Sequence, residues 1–311
     1  MQYGTGGPPE PRNPRRRRAH EGENRRTARD DSSLGLGRWY PRGETHPQGT
    51  AVDPRPFYAP QATHNPLRWV LPVTRALCIG HEPRAFLFGG VGLGAAVTAL
   101  ETATGRPLIW ATAQYLAYAE PNSTLDIDVE PVVEGNTVTQ ARVMGHVGGR
   151  EILTVNAALG ARDEFSPRQF AEIPVVPSPR EAEGVALSYE EDADLHNRFE
   201  IRPIERLPGE DEGRARMWIR SREGEPLSAG LLAVIADYIP AAVTAALDLP
   251  VGTLSLDNTL RLIRVQPTDW VLCDMQVFGI ASGVMHGRMH LFSRDGLLLA
   301  TASQSGIVYA G

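Results

Sequence analysis

The apolar positions of this chain trace one plan twice. In the first copy, Gly90–Thr104 (GVGLGAAVTALETAT) is apolar around its whole circumference, which predicts a buried helix rather than one lying on a surface. Four strand-like runs follow, Leu108–Tyr118, Leu125–Val133, Thr137–Val147 and Glu151–Leu159, separated by turn signals at Pro121-Asn122, Glu134-Gly135-Asn136 and Gly148-Gly149. The second copy opens with strands predicted at Asn197–Pro203 and Ala215–Ser221. A helix from about Ala229 to Leu247 (AGLLAVIADYIPAAVTAAL) comes next, then strands at Leu254–Val265, Trp270–Ile280, Gly283–Phe292 and Leu297–Val308, with a turn at Arg294-Asp295-Gly296. The closing hairpins match too, Thr154 standing where Thr301 stands in the second copy. A helix and an antiparallel meander, repeated, point to an internal duplication.

A meander long enough to wrap a long apolar helix is the hotdog pattern. The expected fold class is therefore α+β, a double hotdog: two antiparallel sheets, each wrapped around its helix, forming an internal pseudo-dimer. Residues 1–65 are rich in Pro, Gly and Arg with scarcely any periodic apolar positions, and are expected to be a disordered leader. The N-terminal hotdog is placed at 66–161, a Pro- and charge-rich linker at 162–195 (including EIPVVPSPREAEG), and the C-terminal hotdog at 196–311. A fused pair can still expose sheet edges, so a homo-oligomer is expected.

Composition changes this picture only at its margins. With 311 residues, 42% of them hydrophobic, the chain can build two cores. Its net charge of −6 is uneven, because residues 1–65 carry 11 Arg against 7 acidic residues, leaving the rest more acidic than the total suggests. The run Arg15–Arg18 reads as part of a solvated tail, so no nucleic-acid partner is expected. No apolar stretch with a small-residue cleavage site follows that run, which argues against a secretory signal. The longest apolar runs are interrupted by Asp237 and Pro240 or by Glu101, so no membrane span is expected. Cys78 and Cys273 show no disulfide or zinc-site spacing and suit a reducing cytoplasm.

Candidate chemistry centres on Asp237, the only charged residue between Pro226 and Leu247. Burial in so apolar a run disfavours its ionised form and moves its pKa towards values useful to a general base. Three stretches give this residue company: Phe88-Gly89-Gly90 before the first helix, Ala236-Asp237-Tyr238 in the second, and Ala300-Thr301-Ala302-Ser303-Gln304-Ser305-Gly306 in the closing strand. In this order they resemble the acyl-CoA thioesterase II family of double hotdogs, over about residues 70–311. The resemblance implies hydrolysis of a fatty acyl-CoA by a water that an Asp, a Thr or Ser and a Gln orient and activate together. By motif these are Asp237, Ser255 and Gln304, Ser255 lying in Thr253-Leu254-Ser255-Leu256-Asp257-Asn258 where the family often has Thr. The first copy has Ala157 in place of the Gln and no Asp in its helix, so one site per chain is expected, in the second copy.

Other readings are weaker. Gly90-Val91-Gly92-Leu93-Gly94-Ala95 matches a dinucleotide fingerprint, but no acidic residue follows at the right distance and the context is a meander. Those glycines are better explained by close helix–sheet approach. His286 and His290 would chelate a metal only on a helix, and their segment reads as strand. Ser255 lacks a nucleophile elbow and a His to activate it, which leaves water as the nucleophile. A hotdog hydratase would need His where Ala242 stands. No cofactor is expected, and the alternative to an enzyme is a non-catalytic acyl-CoA-binding or scaffolding double hotdog.

Overall fold

The computed structural model describes residues 55–162, 165–182, 194–206, 209, 212–247, 249 and 251–310. The greater part of the expected leader, 1–54, lies outside them. In the first half, β1 (Gln61–Ala62), β2 (Arg68–Val73), β3 (Cys78–Ile79) and β4 (Phe86–Leu87) lead into α1 (Gly89–Thr104). The meander β5 (Leu108–Tyr115), β6 (Ser123–Glu134), β7 (Val138–Val147) and β8 (Arg150–Gly160) follows. The second half runs β9 (Phe199–Ile204), β10 (Arg214–Ser221), α2 (Ala229–Ala236), α3 (Ala241–Leu247), β11 (Val251–Ser255), β12 (Asp257–Leu262), β13 (Val271–Ala281), β14 (Val284–Ser293) and β15 (Leu298–Ala310).

The two expected sheets are continuous. Strand order is β1-β2-β6-β7-β8-β5-β12-β15-β14-β13-β10-β9, with β11 also paired to β15, and the halves meet where β5 and β12 run antiparallel. Thr112 and Thr259 face each other across that seam with their hydroxyls 3.0 Å apart. This is the internal pseudo-dimer, closed by backbone hydrogen bonds as well as by packing.

Inside the sheet's curve, α1 packs directly on α2. A Cβ on Gly94 would stand 2.8 Å from the Gly230 carbonyl oxygen, and one on Gly90 2.7 Å from that of Val234. Only Gly92 faces the sheet, towards Leu153 on β8, so helix–helix approach accounts for more of this glycine run than the helix–sheet approach expected. Tyr58 wedges beside the contact, 1% exposed, with its hydroxyl 2.6 Å from Ser228 Oγ. Residues 55–65, expected to belong to the leader, are anchored to the packed body, because Phe57 and Tyr58 give an otherwise polar segment apolar area to bury.

The second helix is broken where one continuous helix was expected. Pro240 has no N–H to donate and crowds the residue before it out of the helical region, so α2 stops at Ala236 and α3 restarts at Ala241. By length and composition alone, 229–247 would reach across a bilayer, contrary to the expectation that Asp237 and Pro240 disqualify it. Here it is folded as two short helices whose residues are mostly buried in the protein's own core. The strand expected at Leu254–Val265 is likewise split at Leu256 into β11 and β12. In the linker, residues 169–182 cover the outer face of the second half: Ala171, Ile173, Val176 and Ala182 pack with Trp218, Trp270 and Phe292, and Trp218 Nε1 donates to the Pro177 carbonyl at 2.9 Å.

Candidate active site

Asp237 occupies the C-cap of α2, held there by the turn that Pro240 imposes, and is 3% exposed. A carboxylate in that position meets the unfavourable end of its own helix dipole, so it needs donors from elsewhere. Oδ2 receives the Gly90 N–H at 2.6 Å, one of the amides at the start of α1 that have no partner within the helix. Oδ1 accepts from Gln304 Nε2 in a short contact, and from Ser255 Oγ and Asn258 Nδ2, each at 3.4 Å. Gln304 Nε2 also donates to Ser255 Oγ at 2.7 Å. The three residues singled out by sequence thus meet at one point.

Their placement follows from strand register. Ser255 ends β11 opposite Gly306 on β15, two residues from Gln304, while Leu256 interrupts the strand and lets β12 resume on the same partner. Gln304 is 2% exposed and Asn258 fully buried. Burial drives the Asp237 carboxyl up to about 7, against the pull of its four hydrogen-bond donors. The group therefore titrates near neutrality, where a carboxylate can act as a base.

Asp237 and Ser255 form part of the wall of a cavity of about 550 Å³. Its other walls are largely apolar and come from both halves, among them Phe86, Leu87 and Leu153 from the first and Ile201, Met217 and Pro240 from the second. Gln304 is outside this wall, behind the two residues it bonds. His196, its Nδ1 2.9 Å from the Tyr238 hydroxyl, also lines the cavity, and burial keeps its pKa below the usual histidine value.

Residues of the first copy also touch this cluster. Gly90 of α1 bonds the carboxylate, and Tyr115 of β5 lies against it, since a Cβ on Gly89 would be 2.8 Å from the Tyr115 ring and 2.9 Å from Asp237 Oδ2. Asn258 was quoted with Ser255 but given no role, and Tyr115 carried no signal beyond being an aromatic in a strand. His286 and His290 both sit on β14, an extended strand, as the sequence suggested.

A model of the acyl-CoA thioesterase C-terminal domain matches residues 169–308. No curated protein matches the chain. Among solved structures, a candidate thioesterase from Novosphingobium aromaticivorans is 34% identical, with a TM-score of 0.75 over 80% of this chain and 98% of that one. The acyl-CoA thioesterase II TesB2 from Mycobacterium marinum is 18% identical, TM-score 0.65, over 82% and 97% respectively. A hot dog-fold protein of unknown function from Alicyclobacillus acidocaldarius is 21% identical, TM-score 0.69, over the same 82% and 97%. These last two show likeness of fold.

Proposed function

This chain belongs to the acyl-CoA thioesterase family and is a thioester hydrolase, and from that premise we propose that it cleaves fatty acyl-CoA to fatty acid and CoA with water activated at Asp237. The observation that carries the reading is a buried carboxylate with a pKa of about 7 in the wall of a largely apolar cavity. The cavity suits an acyl chain, and the carboxylate suits a base.

In the proposed reaction the water lies between Asp237 and Ser255 and attacks the thioester carbonyl carbon while Asp237 takes its proton. Negative charge gathers on the carbonyl oxygen, and the Gly89 N–H, first in α1 and at the cavity wall, is our assignment for the donor that meets it. Collapse breaks the C–S bond. The CoA thiolate leaves and recovers a proton, directly or through solvent, from protonated Asp237. Gln304, behind the wall, acts on the water through Asp237 and Ser255, which it holds in register. Free-thiol release measured over acyl-CoAs from short to long chain tests the substrate class. We expect turnover that improves once the chain is long enough to fill the cavity, and turnover of none of them would refute the reading.

A further inference from the structure

The active-site cavity reaches the surface between the two halves. Its exposed lining residues include Leu116 and Tyr118 from the first half and Leu256 and Ile307 from the second, and the two sets meet where the Tyr115 N–H donates to the Leu256 carbonyl at 3.0 Å. An acyl-CoA with its thioester at Asp237 and its chain among the apolar walls sends the rest of CoA out past this rim, because phosphates are too costly to take out of water unpaired. Arg150 stands at the rim. The tight turn at Gly148 and Gly149, whose φ angles of 55° and 84° suit glycine best, starts β8 at Arg150, and Arg150 Nη2 donates to the main-chain carbonyl of Tyr118 in a short contact. That contact uses one of the five guanidinium N–H donors. Among the described residues no carboxylate pairs with Arg150, although Glu151 is its neighbour in sequence. Arginines elsewhere on the sheet do spend their charge on acids: Arg68 on Asp128, Arg202 and Arg220 on Glu200, Arg214 on Asp274. Arg150 is thus an exposed, uncompensated cation tethered at the cavity mouth, in a chain of net charge −6.

We propose that Arg150 is a substrate-binding residue that holds a phosphate of the CoA moiety where the polar half of the substrate leaves the cavity past Tyr118. A planar guanidinium matches the oxygens of a phosphate with parallel N–H donors, and Arg150 keeps four of its five for that use. The tether to the Tyr118 carbonyl places the group beforehand, so less ordering is left to be done on binding. A polyanion meets an acidic protein unfavourably overall, and a local cation at the mouth decides on which side of the opening its charged end comes to rest. The inference rests on the acyl-CoA reading above and adds how the anionic half of that substrate is recognised. Because the phosphates lie outside the cavity, away from the reacting carbonyl, the contact is made alike before and during the reaction and acts on binding rather than on chemistry.

Two thioesters of the same fatty acid separate this contact from the rest of the site: the CoA ester, and the pantetheine ester, which carries no phosphate. In Arg150→Ala the KM for the CoA ester should rise about 3- to 10-fold with kcat within about twofold, since the lost contact contributes equally to ground and transition states. Both constants for the pantetheine ester should stay as in the wild type. Added KCl should raise the KM for the CoA ester more in the wild type than in the variant. An unchanged KM for the CoA ester in Arg150→Ala overturns the proposal. An equal rise for both esters overturns it too, tracing the effect to a displaced Tyr118 at the rim. Calorimetric titration with free CoA reads the same contact without turnover, and the affinity should fall by a similar factor in the variant. Equal CoA affinity in the two proteins overturns the proposal. A weaker affinity in Arg150→Ala supports it even in a chain that cleaves neither ester, an outcome that sinks the hydrolytic reading alone.

Discussion

The Gly90 N–H donates to Asp237 Oδ2 at 2.6 Å, joining residues 147 positions apart in the chain and lying in opposite halves of the fold. The start of α1 lends its partial positive charge to a carboxylate that its own helix, α2, disfavours. The two copies have thereby diverged into complementary parts, one supplying the carboxylate and the other its amide support.

This contact leaves no room for a side chain at position 90. A Cβ there would meet the Val234 carbonyl oxygen at 2.7 Å and Asp237 Cβ at 2.8 Å. Gly90→Ala should cost about 1–3 kcal/mol of stability and lower kcat at least about 10-fold. Gly94→Ala meets the Gly230 carbonyl oxygen at 2.8 Å and should cost similar stability. A Cβ there touches Gly230, Val234 and Tyr58 and not Asp237, so its kcat should fall much less. Thermal unfolding and thiol release, measured on both variants, separate the two effects.

Asp237 also makes a pH-dependent contribution to stability. Its pKa is about 7 in the folded protein against 3.8 ordinarily, so between these values the native state holds the proton more tightly than the unfolded state. Stability contributed by the protonated form is full below about pH 4 and declines as pH rises to about 7. Asp237→Asn lacks this decline. The unfolding free energy of the variant minus that of the wild type, from denaturant titrations, should grow from pH 4.5 to pH 8 and then level off, the span being on the order of a few kcal/mol. A difference that shrinks with pH would contradict the raised pKa.

Ser255 and Gln304 are expected to respond differently to conservative exchange. Ser255→Thr keeps the hydroxyl and should retain most activity, whereas Ser255→Ala should lose about 10- to 100-fold in kcat. Gln304→Glu sets a second carboxyl beside Asp237 Oδ1, where an amide now donates. Two carboxyl groups so close cannot both ionise easily, so one pKa rises and activity at pH 7 should fall steeply, recovering in part towards pH 9. The kcat–pH profile of each variant checks this.

Much of this architecture was readable from local pattern, and what was not shares a cause. Alternation and turn residues located β6, β7, β8, β13, β14 and β15 closely, since each strand buries one face. The apolar run 229–247 read as one helix because periodicity outweighed the breaker, but Pro240 at its middle carried the signal for the break that sets Asp237 at a helix end. Asp237 was legible as a lone acid in an apolar run, whereas Ser255 and Gln304 were reached through the family resemblance, alternation adding only that Gln304 shares a strand face with Ala302. Tyr115 and the Gly90 amide were not, since an aromatic on a strand and a glycine opening a helix look ordinary until β5 meets β12 and α1 meets α2. That pairing is set by tertiary packing between residues well over a hundred positions apart.

The central claim is that Asp237 is the base, and the most direct measurement is free-thiol release from a turned-over acyl-CoA by wild type and Asp237→Asn across pH 5 to 9. The account predicts a wild-type kcat that rises through an acid limb near pH 7, and a variant slower by about 10²- to 10⁴-fold with that limb gone. An Asp237→Asn protein that folds and turns over undiminished, with the same limb, would contradict it.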